Sequence, residues 1–217
     1  MDIYDQHEQG ERVRSWLKDN GTAIISGVAL GLAAIFGYHQ WQGHRISQAH
    51  TAADLYERSR QAAEAGADAP APEADAARSQ LRSEYGGNGY AVLAALEQAQ
   101  AQLRAGDSEG AVVSLTWARD QAGEPALRSL AALRLARLQL AAGKGEDALA
   151  TLATVEGDGF AAERAELRGD VLVQLDRIEE ARTAYLEAQA AGPADATALA
   201  MKMAEHGAEP PQPGAGA

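Results

Sequence analysis

No cysteine occurs in the chain, which removes disulfides, thiolate metal sites, cysteine nucleophiles and lipid attachment at sulfur in one step. The compartment stays open, because a chain without thiols suits either redox environment. Basic residues are also scarce, with 19 Lys and Arg against 31 Asp and Glu and a formal net charge of −12. Such a surface is a poor partner for nucleic acid or anionic lipid headgroups, so no nucleic-acid partner is expected. Catalytic signatures are missing too: there is no GxSxG, no Walker loop and no HExxH. The five histidines, His7, His39, His44, His50 and His206, are scattered without metal-ligand spacing. Paired carboxylates such as Glu163 with Glu166, or Glu179 with Glu180, fall on polar helix faces and read as solvated surface. The composition therefore argues against an enzyme and predicts no metal and no cofactor.

One further absence is informative in the opposite sense. No Asp, Glu, Lys or Arg occurs between Asp19 and Arg45, and the segment from Gly21 to Trp41 reads GTAIISGVALGLAAIFGYHQW. As a helix it is roughly 32 Å long, enough for the hydrocarbon core of a bilayer. Trp16, Tyr38 and Trp41 flank it where amphipathic rings sit at headgroup level. A buried core helix is the alternative reading. Arg12, Arg14 and Lys18 precede the span closely, whereas Arg45 stands alone on the other side until Arg58. The positive-inside rule then keeps residues 1–20 cytoplasmic and exports the rest. A cleavable signal peptide would have a shorter apolar region followed by a small-x-small site, so residues 21–43 are read as an uncleaved transmembrane signal anchor. Within it Gly27 and Gly31 form a GxxxG pair, a candidate surface for packing against another membrane helix.

After the span, residues 44–206 form a single soluble domain. His44 to Gly66 carries helical spacing. Pro70 and Pro72 then interrupt it, a second helix is expected from about Glu73 to Tyr85, and GGNG at Gly86 to Gly89 makes a turn. Beyond Gly89 the chain repeats itself. The turn signals AGDSEGAV, AGKGEDAL and QLDRIEEA lie around Ala111, Ala148 and before Ala181, at spacings of 37 and 33 residues. These are close to the period of about 34 residues of tetratricopeptide repeats. The third unit places Gly169, Ala181, Tyr185, Ala188 and Pro193 in the register of that repeat. The second supplies Ala136, Ala148 and Leu152, and the first Ala99, Ala111, Leu115 and Ala118. The fold class is all-α, with one N-terminal transmembrane helix followed by a tetratricopeptide-repeat-like α-solenoid. The helix before Gly89 and the segment ADATALAMKMAEH are expected to cap its ends, and residues 207–217, rich in Pro and Gly, to form a disordered tail.

In such arrays the first helix of each pair lines one face. In this register it presents Leu96, Gln100 and Leu103, then Leu133, Arg137 and Leu140, then Glu163, Glu166 and Asp170. The expectation is a peptide groove with an apolar floor and an acidic edge that steers basic segments. The alternative is that the leucines are inter-repeat core.

Tyr4, Glu8, Gln9 and Glu11, the entry Trp16 and Asn20-Gly21, the exit Gly37-Tyr38 to Trp41, and the runs LRLARLQL (Leu133 to Leu140) and GDGFAAERAELRGDVL (Gly157 to Leu172) together resemble the YfgM family of ancillary subunits of the bacterial SecYEG translocon. The resemblance covers nearly the whole chain; the linker at Pro70 and Pro72 and the tail depart from it. It implies an inner-membrane protein with a periplasmic repeat domain, associated with SecYEG and with a PpiD-like periplasmic chaperone, that assists transfer of newly exported proteins. It also implies an alternative role as a membrane-bound regulator of an envelope-stress response acting through the cytoplasmic segment. The residues by themselves support a membrane-tethered scaffold, with the lipid bilayer and protein segments as partners.

Overall fold

The computed structural model describes residues 3–65 and 72–208, with side chains from residue 14 onward. The expected loop around Pro70, the tail from residue 209, and the side chains of Tyr4, His7, Glu8, Gln9, Glu11 and Arg12 lie outside the described residues. Among the described residues there is no strand.

The first helix, α1, runs unbroken from Ile3 to Ala65. Its apolar portion is long enough to cross a membrane by length and composition, and none of that portion is buried by protein. Ile25, Leu30 and Phe36 are more than two-thirds exposed, which is inconsistent with a soluble core helix. The glycines at 21, 27, 31, 37 and 43 do not interrupt it. The span and the following segment, read from the sequence as successive elements, are thus one helix.

The repeat domain begins on the last turns of α1. Ala52, Leu55 and Tyr56 pack with Leu81 of α2 (Pro72–Glu84) and with Ala91 and Ala94 of α3 (Gly89–Arg104). Pro72 opens α2 from its first turn, where the missing N–H costs nothing. The GGNG turn ends in an N-cap, with Asn88 Oδ1 accepting from the Tyr90 amide at 3.0 Å. Three helix pairs follow: α3 with α4 (Ser108–Gln121), α5 (Pro125–Ala141) with α6 (Gly145–Leu152), and α7 (Ala161–Gln174) with α8 (Ile178–Ala190). The expected end cap is α9 (Ala196–Glu205).

The turn within each pair has the same construction. Gly106, Gly143 and Asp176 adopt positive φ of 79°, 74° and 59°. The next amide returns to the preceding helix, from Asp107 to Gln102, Lys144 to Gln139 and Arg177 to Leu172, at 2.8–2.9 Å. This left-handed C-terminal closure satisfies carbonyls that the helix end would otherwise leave open. Five residues past each such position Ala111, Ala148 and Ala181 are fully buried, so the two helices of each pair meet at a residue with no bulk to separate them. First helices also pack on one another, α3 on α5 and α5 on α7, forming one face of the stack. The apolar clusters straddle the pairs. One joins α3, α4 and α5; a second joins α5, α6 and α7; a third joins α7, α8 and α9. Gly207 and Ala208, the first two residues assigned to the tail, close α9, and Ala208 is buried in the third cluster.

Candidate functional site

On the face formed by the first helices, a cavity of about 420 Å³ opens between α3 and α5. Leu96, Ala99, Gln100 and Leu103 project into it from α3, and Leu115 of α4 forms its base. From α5 come Arg134, Arg137, Leu138 and Ala141, an i, i+3, i+4, i+7 spacing that puts them along one side of the helix. The floor is aliphatic, and the charged groups among the lining residues are both guanidinium. A cavity of this size accommodates one or two apolar side chains of a peptide, with the arginines and Gln100 able to donate to its carbonyls or carboxylates.

The residues read from the sequence as a groove divide between two environments. Leu96, Gln100, Leu103 and Arg137 meet at this cavity. Leu133 does not: it is 0 % exposed and sits among Ala132, Ala136, Ala148, Leu152, Leu167 and Val171. Leu140 packs on the same cluster and is half-buried. Helical geometry is the reason, since Leu133 packs against α6 and α7 while Arg134 and Arg137 lie on the side of α5 that lines the cavity. The acidic edge is also altered. Glu163 is ion-paired with Arg137. Glu166 and Asp170 hold Lys202 Nζ of α9 at 2.8 and 2.7 Å, and the Tyr185 hydroxyl donates to Asp170 at 2.9 Å. Glu166 and Asp170 thus serve to dock the cap, and at the cavity the edge is formed by Arg134 and by Arg137 with its partner Glu163, not by an acidic row.

Two groups in this network have displaced titrations. Burial and the neighbouring Asp170 carboxylate push the Tyr185 phenol above its ordinary value. For Lys202, burial opposes the charge, but hydrogen bonds to Asp170 and Glu166 outweigh it and hold the ammonium above its usual pKa. Sequence reasoning missed Arg134, Leu138 and Lys202. The first two were legible in the i, i+3, i+4 spacing with Arg137; Lys202 was not, because its partners lie more than thirty residues earlier.

An apolar helix without protein cover, joined to a stack of helix pairs with a lateral cavity, defines a membrane-anchored helical-repeat scaffold. The repeat type is that of a family described as tetratricopeptide repeat-like domain, whose model matches residues 14–207. The chain is similar to the ancillary SecYEG translocon subunit of Escherichia coli (strain K12), with 31% identity over 186 residues, covering 85% of this chain and 88% of the relative. It is similarly related to the ancillary SecYEG translocon subunit of Haemophilus influenzae, with 31% identity over 188 residues, 87% of this chain and 90% of the relative. The chain belongs to the YfgM family.

Proposed function

We propose that this chain is a scaffold of the SecYEG translocon, anchored in the bacterial inner membrane by residues 21–43. Residues 1–20 lie in the cytoplasm and the repeats, residues 44–206, in the periplasm, where they associate with a PpiD-like chaperone and assist transfer of newly exported segments. The kinship over nearly the full length of relatives named as translocon subunits carries this reading. Two features support it. Arg12, Arg14 and Lys18 lie close before the span, whereas Arg45 stands alone after it until Arg58. The cavity between α3 and α5 offers an apolar recess with hydrogen-bond donors at its rim, the requirements for holding an unfolded segment by one or two apolar side chains.

The test is site-specific photocrosslinking in intact membranes. Probes at Gly27 and Gly31, whose helix face is open, should capture translocon subunits. Probes at Gln100 and Arg137 should capture a chaperone or a nascent exported chain. Capture of neither translocon nor chaperone from any position would overturn the proposal.

A further inference from the structure

The side formed by the second helices carries a feature that the repeat pattern does not require. α4 and α8 have 14 and 13 residues, but α6 has only 8. It stops at Leu152 because Thr154 and Val155, both β-branched, are followed by Gly157 at a φ of 90°. The missing turn and a half, roughly 8 Å of helix, leaves a gap beside α7 and α8. A cavity of about 610 Å³ occupies the gap.

Its floor is aliphatic, with Leu149 and Leu152 from α6 and Leu172 from α7. Its wall is basic. Arg164 and Arg168 stand one turn apart on α7, and Arg177 precedes α8. The carboxylate among the described lining residues is Glu180. Three guanidinium groups line the cavity with one carboxylate, while the other carboxylates that pair with them, Glu187 and Glu146, stand outside the lining. The arginines are only partly engaged. Arg164 donates to the Val155 carbonyl at 2.9 Å, a structural role that caps the irregular segment. Arg168 reaches Glu187 at 2.8 Å, a pair in which both side chains are more than a third exposed. Arg177 holds Glu180 through two bonds of 2.7 Å and lies 3.6 Å from Glu146, both at similarly open sites. Exposed pairs of this kind contribute little to stability, so their arginines can exchange partners at small cost. Each guanidinium also has five N–H donors in a fork that matches a carboxylate.

We propose that this cavity is a second docking site, separate from the one between α3 and α5, and that it takes an acidic amphipathic segment of a protein partner. A leucine-sized side chain fills the floor, and Asp or Glu side chains of the same segment bind Arg168 and Arg177. Charge complementarity selects this occupant over the basic or neutral segments that an acidic chain would otherwise attract.

The experiment uses the full chain in detergent micelles and fluorescence anisotropy of a labelled helical peptide carrying Leu and Glu at i, i+4 spacing. Matched peptides carry Gln or Lys in place of Glu. The Glu peptide should bind at least about tenfold more tightly than the Gln peptide, and more weakly as salt rises. R168E/R177E should lower its affinity by at least about tenfold, R168Q/R177Q by less, and R134E/R137E by under about threefold. Circular dichroism and melting check that each variant is folded, and if the charge reversal does not fold, the Gln pair decides. Equal binding of Glu and Gln peptides overturns the proposal. So does a loss confined to R134E/R137E, which would assign the peptide to the other cavity. Arginine-dependent binding to phosphatidylglycerol vesicles that displaces the peptide would assign the site to a lipid headgroup, and also overturns it.

Discussion

Gly169 and Tyr185 show how single positions tune the stack. The Tyr185 ring is 1 % exposed, and a Cβ added at Gly169 would lie 2.6 Å from its Cδ1, closer than any real contact. At the equivalent places the first two pairs bury Ala99 with Leu115 and Ala136 with Leu152. Bulk on the second helix is thus matched by its absence on the first. Replacing Gly169 by Ala should destabilise the domain by about 1–3 kcal/mol, because the ring cannot retreat without breaking its bond to Asp170; urea unfolding followed by circular dichroism measures this. Asp176 is the converse case. It holds the left-handed turn position that Gly106 and Gly143 occupy in the other pairs. Asp176→Gly relieves that backbone and should raise stability by roughly 0.5–1 kcal/mol in the same assay. These places were legible in the sequence, because a repeat register aligns them. Leu133 was not correctly placed by that register: it identifies a face of α5 only to within a residue, and a helix turns about 100° per residue, enough to move a side chain from a groove to a core.

At the scale of elements, the three pairs, both caps and the GGNG turn were readable, since apolar periodicity and glycine turns act locally. The continuity of α1 was not, because the switch from lipid-facing to core-facing residues gives no break in helical propensity. The shortened α6 was not read either, since its signal is only two β-branched residues before a glycine. The docking of α9 and α1 onto their neighbours depends on long-range polar contacts, and these set how the domain responds to alkali. Tyr56 is pushed up to about 12 by burial and by Glu97, whose carboxylate accepts from its hydroxyl at 2.5 Å. Tyr185 and Lys202 are displaced in the same direction. All three keep their protons in the folded state at a pH where the unfolded chain, with ordinary values near about 10 to 10.4, has released them. The stability they contribute is therefore complete below about pH 10 and is lost as pH rises beyond it. The melting temperature should decline from about pH 10 upward, and Tyr185→Phe should flatten that decline; thermal scans across the alkaline range check both.

For the whole molecule, orientation is the property on which the proposed role depends. The chain has no native cysteine, so one introduced at Asp5 or Ser108 is a clean reporter. In intact spheroplasts, a membrane-impermeant maleimide should label the cysteine at position 108 and spare that at position 5 until the membrane is opened; the reverse pattern would place the repeats in the cytoplasm. The clusters that straddle the helix pairs have a separate consequence for how this domain opens. Because each pair shares its apolar cluster with the next, no pair is stable alone, and opening is expected to travel inward from an end. Amide hydrogen exchange should then be graded along the chain. It should be slowest in α5 and α7, which each contribute to two clusters, and fastest in α9, whose 10 residues are covered from one direction.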